Sequence, residues 1–280
     1  MSHQAGIRAA LEAAYRTRPK KRPTRQADKI PQLPKTAEAL YVRALRGIVK
    51  RIGEATKEVF AAGLDALEAE QRTDAAGDVI TGTTLDRLRE RINAIVGEAA
   101  VTGIVSSAQE GVNRKNLSEM SRVLGIAPEV LIPGMGDVMD AWRRANVDLI
   151  SSIGGEYLDQ VQDLVRTATT EGIRAEALSK ALQERLGVAE SRAELIARDQ
   201  VLKANAQLSA ERMRRVGVTK YKWSTSRDSR VRPGHAALEG EIVPFDQPPI
   251  VDPKTGRRAH AGEDFQCRCV RIAQWDDEDE

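Results

Sequence analysis

A mainly α protein, a long-helix hairpin or bundle followed by a small α+β C-terminal module, is predicted by three observations. Charged residues make up 30% of the 280 positions and aromatic residues only 4%, the profile of a helix-rich, surface-heavy chain rather than a β sandwich. From Thr36 onward Leu40, Leu45, Ile48, Val49, Ile52, Val59, Phe60, Leu64 and Leu67 recur at mostly helical spacing over a proline-free run ending near Arg72. Between Tyr221 and Val270 the composition changes: this stretch holds two of the three histidines, both cysteines, five prolines and Trp223, Phe245 and Phe265, and such a shift marks a separate structural unit. The length allows one or two domains with a stable core. The expected organisation is a basic, proline-containing arm over 1–35, a helical domain over 36–216, the small module over 217–272 and an acidic tail over 273–280.

The first long helix is expected to break over Thr73 to Thr83, where Gly77 and Gly82 fall, and Thr83 or Thr84 can cap a second helix carrying Leu88, Ile92, Ile95 and Val96 towards Val105. Two such helices joined by a short polar loop pack antiparallel, and their apolar stripes make 36–122 the expected assembly surface. A third helical stretch runs from Asn113 to Leu124. Pro128, Pro133, Gly134 and Gly136 then mark a loop. Asp137 to Ile153 is helical again, and Tyr157 to Ala168 follows beyond the Gly154-Gly155 pair. Arg174 to Leu186 and Glu190 to Val216, separated by Gly187-Val188, read as a helix-turn-helix, a shape that can enter DNA but is also common in plain bundles.

Gly217 ends the helical domain. Tyr221, Trp223 and Thr225 alternate along a strand from Lys220 to Thr225, Glu241 to Phe245 offers a second strand, and Cys267 to Ile272 alternates as a third. Asp252-Pro253-Lys254-Thr255-Gly256 is a turn by its chemistry. About 60 residues with three short strands bury too little apolar surface to stand alone, so the module needs a staple or a neighbour.

The net charge of +2 is nearly balanced, and no global electrostatic argument for nucleic acid survives. Its distribution is uneven. Arg16, Arg18, Lys20, Lys21, Arg22, Arg25 and Lys29 gather in the arm, which reads either as an unstructured leader or as a basic arm for DNA phosphates or a protein partner, whereas the chain ends Asp276-Asp277-Glu278-Asp279-Glu280. No apolar run is long enough to span a bilayer and no apolar signal core opens the chain, which predicts a soluble protein made in the cytoplasm without a membrane partner.

Two cysteines one residue apart close only a strained loop, so a reduced or metal-bound pair is the expectation. On a strand their sulfurs face one side, and His235 with His260 or a carboxylate could complete four ligands around zinc. The competing reading makes both thiols small buried apolar groups. Asp228, Arg230, Arg232 and His235 also lie close on one loop, the raw material of a metal-dependent nuclease or transferase acting on DNA. No phosphate-cradling glycine loop, nucleophile elbow or paired acids at metal spacing accompany them. An ion-pair network explains the same residues.

One resemblance joins these pieces. Trp223-Ser224-Thr225, the run from Arg227 to Arg232 with His235, Leu238-Glu239-Gly240, Phe245 to Pro249, and Gly262-Glu263-Asp264 ahead of Cys267-Arg268-Cys269 resemble, in order and spacing, the C-terminal module of tailed-phage minor head proteins, the Mu F-like head morphogenesis family. Arg192-Ala193, the run from Ile196 to Gln200 and Asn205 extend the resemblance, which covers roughly residues 140 to 272. It implies a non-enzymatic virion component, assembled in the host cytoplasm, present in several copies at the portal vertex. It further implies contacts with the portal protein, the major capsid and head proteins and packaged DNA. In that light Trp223, Asp228, Arg230, Arg232 and Gly240 are structural motif residues, and Arg198 and Asn205 are expected to tie the preceding helix to the module.

If the arm contacts DNA, ~5 to 7 phosphate contacts give weak, sequence-independent affinity that falls steeply with salt. Removing residues 276–280 should raise that affinity at low salt, and neutralising the arm's lysines and arginines should lower it. Binding unchanged by both, and flat between ~50 and 200 mM salt in a titration, would reassign the arm to protein docking.

Overall fold

The computed structural model of the protein describes residues 29–70, 82–171, 173 and 175–275. It contains the helices α1 (Lys35–Glu70), α2 (Gly82–Val96), α3 (Glu98–Leu124), α4 (Pro128–Leu131), α5 (Gly136–Glu171), α6 (Ala175–Arg215) and α7 (Pro233–Ala236). The strands are β1 (Lys220–Ser224), β2 (Ile242–Pro244), β3 (Ile250–Asp252), β4 (Arg257–Arg258) and β5 (Val270–Gln274). The mainly α class with a strand-bearing C-terminal end is the one expected. Two compact units form, one from 39–107 with 143–198, the other from the residues up to Glu38 with 108–142 and 199 onward. No helix of the described residues is long and apolar enough to cross a membrane.

The first unit is a helical bundle. Tyr41, Leu45, Ile48, Ile52 and Phe60 of α1 are buried with Leu88, Ile92 and Val96 of α2, Val101 and Val105 of α3, Ile150, Tyr157 and Val161 of α5 and Leu178, Ala193 and Ala197 of α6. Burying each large side chain contributes roughly 1.5–3 kcal/mol. Two buried hydroxyls fix the register of this core, Tyr41 donating to Asn146 at 2.9 Å and Tyr157 to Thr56 at 3.1 Å. Leu40, expected on the apolar stripe, is exposed, and Tyr41 takes the inward position.

Three expected helix breaks are absent. Gly154-Gly155 lies inside the continuous α5, and Gly187-Val188 inside the continuous α6, so the helix-turn-helix is not formed. Each interior glycine costs a helix about 1 kcal/mol, a cost outweighed by the buried residues on either side. At Gly154 there is also a packing reason: a Cβ there would meet Ile92 Cγ2 at 2.7 Å and Val96 Cγ2 at 2.9 Å. The stretch between Val105 and Asn113 is likewise helical, and the actual interruption is at Gly97, between α2 and α3.

The second unit carries the strands. α6 ends as expected at Gly217, whose φ is +82°; the amides of Gly217 and Val218 return to Arg214 O and Met213 O, both at 3.0 Å, the closing pattern of a left-handed C-terminal cap. β1 lies between β2 and β5, antiparallel to both, with Tyr221 opposite Val243 and Ala273. β3 and β4 flank the predicted turn, where Asp252 accepts from the Lys254 amide at 3.1 Å and Thr255 Oγ1 at 2.8 Å. Tyr221, Trp223, Val243, Phe245, Val251, Ala261, Cys267 and Cys269 share one core with Met120 of α3, Leu131 of α4 and Ala210 and Met213 of α6. The module thus has the neighbour its size required.

A pair of adjacent glycines tests the packing of α5. Gly154→Leu should lower the melting temperature by several degrees, because overpacking costs typically 1–3 kcal/mol. Gly155→Ala, whose Cβ meets nothing within 4 Å, should leave it unchanged or raise it slightly. Thermal unfolding followed by circular dichroism checks both, and equal effects at the two positions would refute the assignment.

Candidate metal centre

β1 organises the site through its inward residues. Tyr221 and Trp223 are fully buried, and Trp223 exchanges backbone bonds with the returning chain, its amide to Glu241 O at 2.8 Å and its carbonyl from Gly240 at 2.9 Å, Gly240 having a φ of +85°. The loop after β1 is held by acids: Glu239 accepts from the Thr225 amide at 2.6 Å and from Arg227 at 2.9 Å. Asp228 accepts from the Arg230 amide at 3.0 Å and from Arg268 Nη2 at 2.6 Å. The Arg268 guanidinium holds the Asp228 carboxyl down at about 2. Pro233 opens α7 with its φ already suited to a helix, and that turn carries His235 inward.

His235 meets three groups. Its Nε2 lies 3.0 Å from Asp264 Oδ2, and its Nδ1 lies 3.4 Å from Cys267 Sγ and 3.6 Å from Cys269 Sγ. One ligand atom from each of His235, Cys267 and Cys269 falls within 4.8 Å of the others, and all three residues are buried, so the cluster could hold a metal ion. Asp264 Oδ2 also accepts from Arg232 at 3.1 Å and Arg257 at 3.2 Å, and its Oδ1 accepts from the Phe265 amide at 2.9 Å. Burial acts to raise this carboxyl, but those donors outweigh it and hold Asp264 below its ordinary value. The hydrogen bond from Cys269 pulls Cys267 down, helped by His235 and the amides of Cys269 and Gly262, while the same contact and burial push Cys269 up. The indole Nε1 of Trp223 has no acceptor within hydrogen-bonding distance and bears on the Cys269 sulfur, and the ring meets His235 edge-on, centroids 5.7 Å apart at 89°.

The expected set is thus assembled except for His260. Its Nδ1 lies 3.1 Å from the Tyr221 hydroxyl, which also accepts the Ala261 amide at 3.2 Å; burial, then Arg271, lower its pKa. Cys267 and Cys269 are not on a strand, since β5 begins at Val270. Their sulfurs converge because the turn before them is fixed from α6. Asp199 Oδ1 accepts the Gln266 amide at 2.7 Å, and Gln266 has a φ of +52°, a conformation costly for a residue with a Cβ. Gly262, at φ +83°, passes so close to α6 that a Cβ would sit 2.7 Å from Ala206 Cβ. Asp199 and Asp264, which shape the site, each stand within the family-like runs but carry no ligand spacing that marks them in the sequence.

Arg198 pairs with Glu194 at 3.4 Å on its own helix, and its neighbour Asp199 reaches the module through the Gln266 amide. Asn205 accepts from Asn116 Nδ2 at 2.8 Å, and Asn116 in turn receives buried Arg212, whose Nη2 donates to Asn113 at 2.6 Å. Arg16, Arg18, Lys20, Lys21, Arg22 and Arg25 lie outside the described residues; Lys29 is in an irregular segment and half-buried.

Residues 159–272 match the family model described as Phage Mu protein F like protein. An uncharacterized protein of Haemophilus influenzae is 34% identical over 197 residues, 70% of this chain and 42% of that protein. An uncharacterized protein of Methanocaldococcus jannaschii is 30% identical over 130 residues, 46% of this chain and 19% of that one. The chain spans less than half the length of either relative. No solved structure matches.

Gly262→Ala should force the segment before Cys267 off α6, exposing it to limited proteolysis and lowering the melting temperature. Gly256→Ala, also at positive φ but with open space around its Cβ, carries only the backbone strain and should cost less.

Proposed function

We propose, from the match of residues 159–272 to the family model described as Phage Mu protein F like protein, that this protein is a minor head component of a tailed-phage particle. It acts without enzymatic turnover, present in several copies at the portal vertex, in contact with the portal protein and the major head proteins. There it aids head morphogenesis and the packaging or delivery of the genome, with the arm residues Arg16 to Lys29 touching packaged DNA. A zinc ion at His235, Cys267 and Cys269 serves as a structural clip in this reading.

The observation that carries the reading is the family match over the whole of the C-terminal module and the helix leading into it. Two features of the site favour a structural over a catalytic role. Asp228, one half of a nuclease pair with His235, is engaged by Arg268 and the Arg230 amide. His235, the other half, is 2% exposed and engaged by Asp264 and the two sulfurs, so it offers no face to a polynucleotide.

Quantitative mass spectrometry of purified particles tests this directly. The protein should be present at a few copies per portal ring and should cross-link to the portal protein; absence from DNA-filled heads would overturn the reading. In parallel, supercoiled DNA incubated with the full chain and magnesium or zinc should stay intact. Nicking that His235→Ala abolishes would replace it with the nuclease.

A further inference from the structure

We propose that His235 Nδ1, Cys267 Sγ and Cys269 Sγ bind one zinc-class divalent cation with both cysteines as thiolates, water completing a four-coordinate site. The inference rests on this chain's own geometry and stands whether or not the protein is a phage head component.

The distances are the first argument. An ion ~2.3 Å from sulfur and ~2.0 Å from nitrogen at a tetrahedral angle places sulfur and nitrogen about 3.5 Å apart, and the two observed separations are 3.4 and 3.6 Å. A hydrogen bond does not explain both. Nδ1 has either one proton or one lone pair, so it can serve one sulfur, yet the two are nearly equidistant.

The surroundings are the second argument. Ionised Asp264 on Nε2 fixes that nitrogen as a protonated one, so that in the neutral ring Nδ1 is the lone pair facing the sulfurs, the outer-sphere arrangement that orients metal-bound histidines. Beside the sulfurs Trp223 Nε1 is fully buried and without an acceptor, a donor that a metal-bound sulfur can satisfy. Two thiolates and a neutral imidazole cancel the charge of a divalent ion, and a neutral unit can be buried where a bare pair of thiolates cannot.

The fourth position follows by exclusion among the described residues. Both oxygens of Asp264 are occupied by Phe265, His235, Arg232 and Arg257, and His260 is turned to Tyr221. Soft sulfur ligands with one imidazole select zinc over magnesium or calcium. The alternative fate of the pair, a disulfide, would close a strained loop and leave Nδ1 without a partner.

The experiment uses the full chain, purified under reducing conditions, stripped with a chelator and titrated with cobalt(II) as the spectroscopic substitute for zinc. One cobalt per chain should bind, with a thiolate-to-cobalt charge-transfer band and the intense visible bands of a tetrahedral site, and one equivalent of zinc should bleach both. Asp264→Asn should keep the band but weaken affinity 10–100-fold, whereas Cys269→Ser should diminish the charge-transfer intensity itself. Stripped wild-type protein whose two thiols both react with a thiol reagent, yet which shows no charge-transfer band at any cobalt excess, would overturn the proposal. So would a band that persists undiminished in the Cys267→Ser/Cys269→Ser protein. Because the wild-type titration decides the matter alone, a variant that fails to fold leaves the test intact.

Discussion

The buried carboxylate of Asp264 is the constraint on which the C-terminal module turns. Taking a carboxylate out of water is costly unless its lone pairs are filled, and here they are filled from separate parts of the chain. Arg232 comes from the loop before α7, His235 from α7 itself, Arg257 from β4 and the amide of Phe265 from the adjacent turn. A fold with three- and two-residue strands has little ladder hydrogen bonding to define it. One anion with several donors ties together loops that the strands do not reach. The same bond decides which face of the imidazole is a lone pair, so the loop architecture and the chemistry at the cysteines share one cause.

The second constraint is that the module does not possess a core of its own. Its aromatic residues pack as a group, Tyr221 against Phe245 at 5.1 Å between centroids with Arg214 over the Phe245 ring at 4.8 Å, but the cluster is completed by Met120, Leu131 and Met213 from helices. α6 acts as the template. Its Asp199 holds Gln266 in a left-handed backbone conformation that costs on the order of 1–3 kcal/mol, its Ala206 leaves room for Gly262 alone, and buried Arg271 donates back to Ala206 O while pairing with Glu263 at 2.5 Å. The strain at Gln266 is therefore maintained from outside the loop that carries it.

Which parts of this were legible in the sequence follows from the range of the forces involved. The spacing of Leu45, Ile48 and Ile52, the stop at Gly217 and the turn at Asp252 to Gly256 are local signals, and each appears where it was expected. The glycines of α5 and α6 misled because a glycine's local cost is small beside the burial of Ile153, Tyr157 or Ala193, and burial is decided by distant chain. His235, Cys267 and Cys269 were legible as residue types, but the reason for their meeting was not. Strand alternation was the reason available from spacing, whereas the chain before β5 is shaped by Asp199, some seventy residues upstream. His260 was assigned by type alone, and a neighbouring hydroxyl claimed it.

Cys267, His235 and Asp264 stand in the order of a thiol, imidazole and carboxylate triad, and the distinction between nucleophile and metal clip has to come from their setting. A nucleophile must meet its substrate, whereas Cys267 and Cys269 are 4% and 5% exposed and the Trp223 ring stands edge-on against the imidazole. In a triad the base serves one sulfur. Here it stands between two, its Nδ1 3.4 Å from one and 3.6 Å from the other. A second cysteine at that place weakens the case for a general base and strengthens the case for a ligand set. The burial that shuts out a substrate is the same burial that makes a neutral, ion-centred cluster a useful clip for a module this short of core.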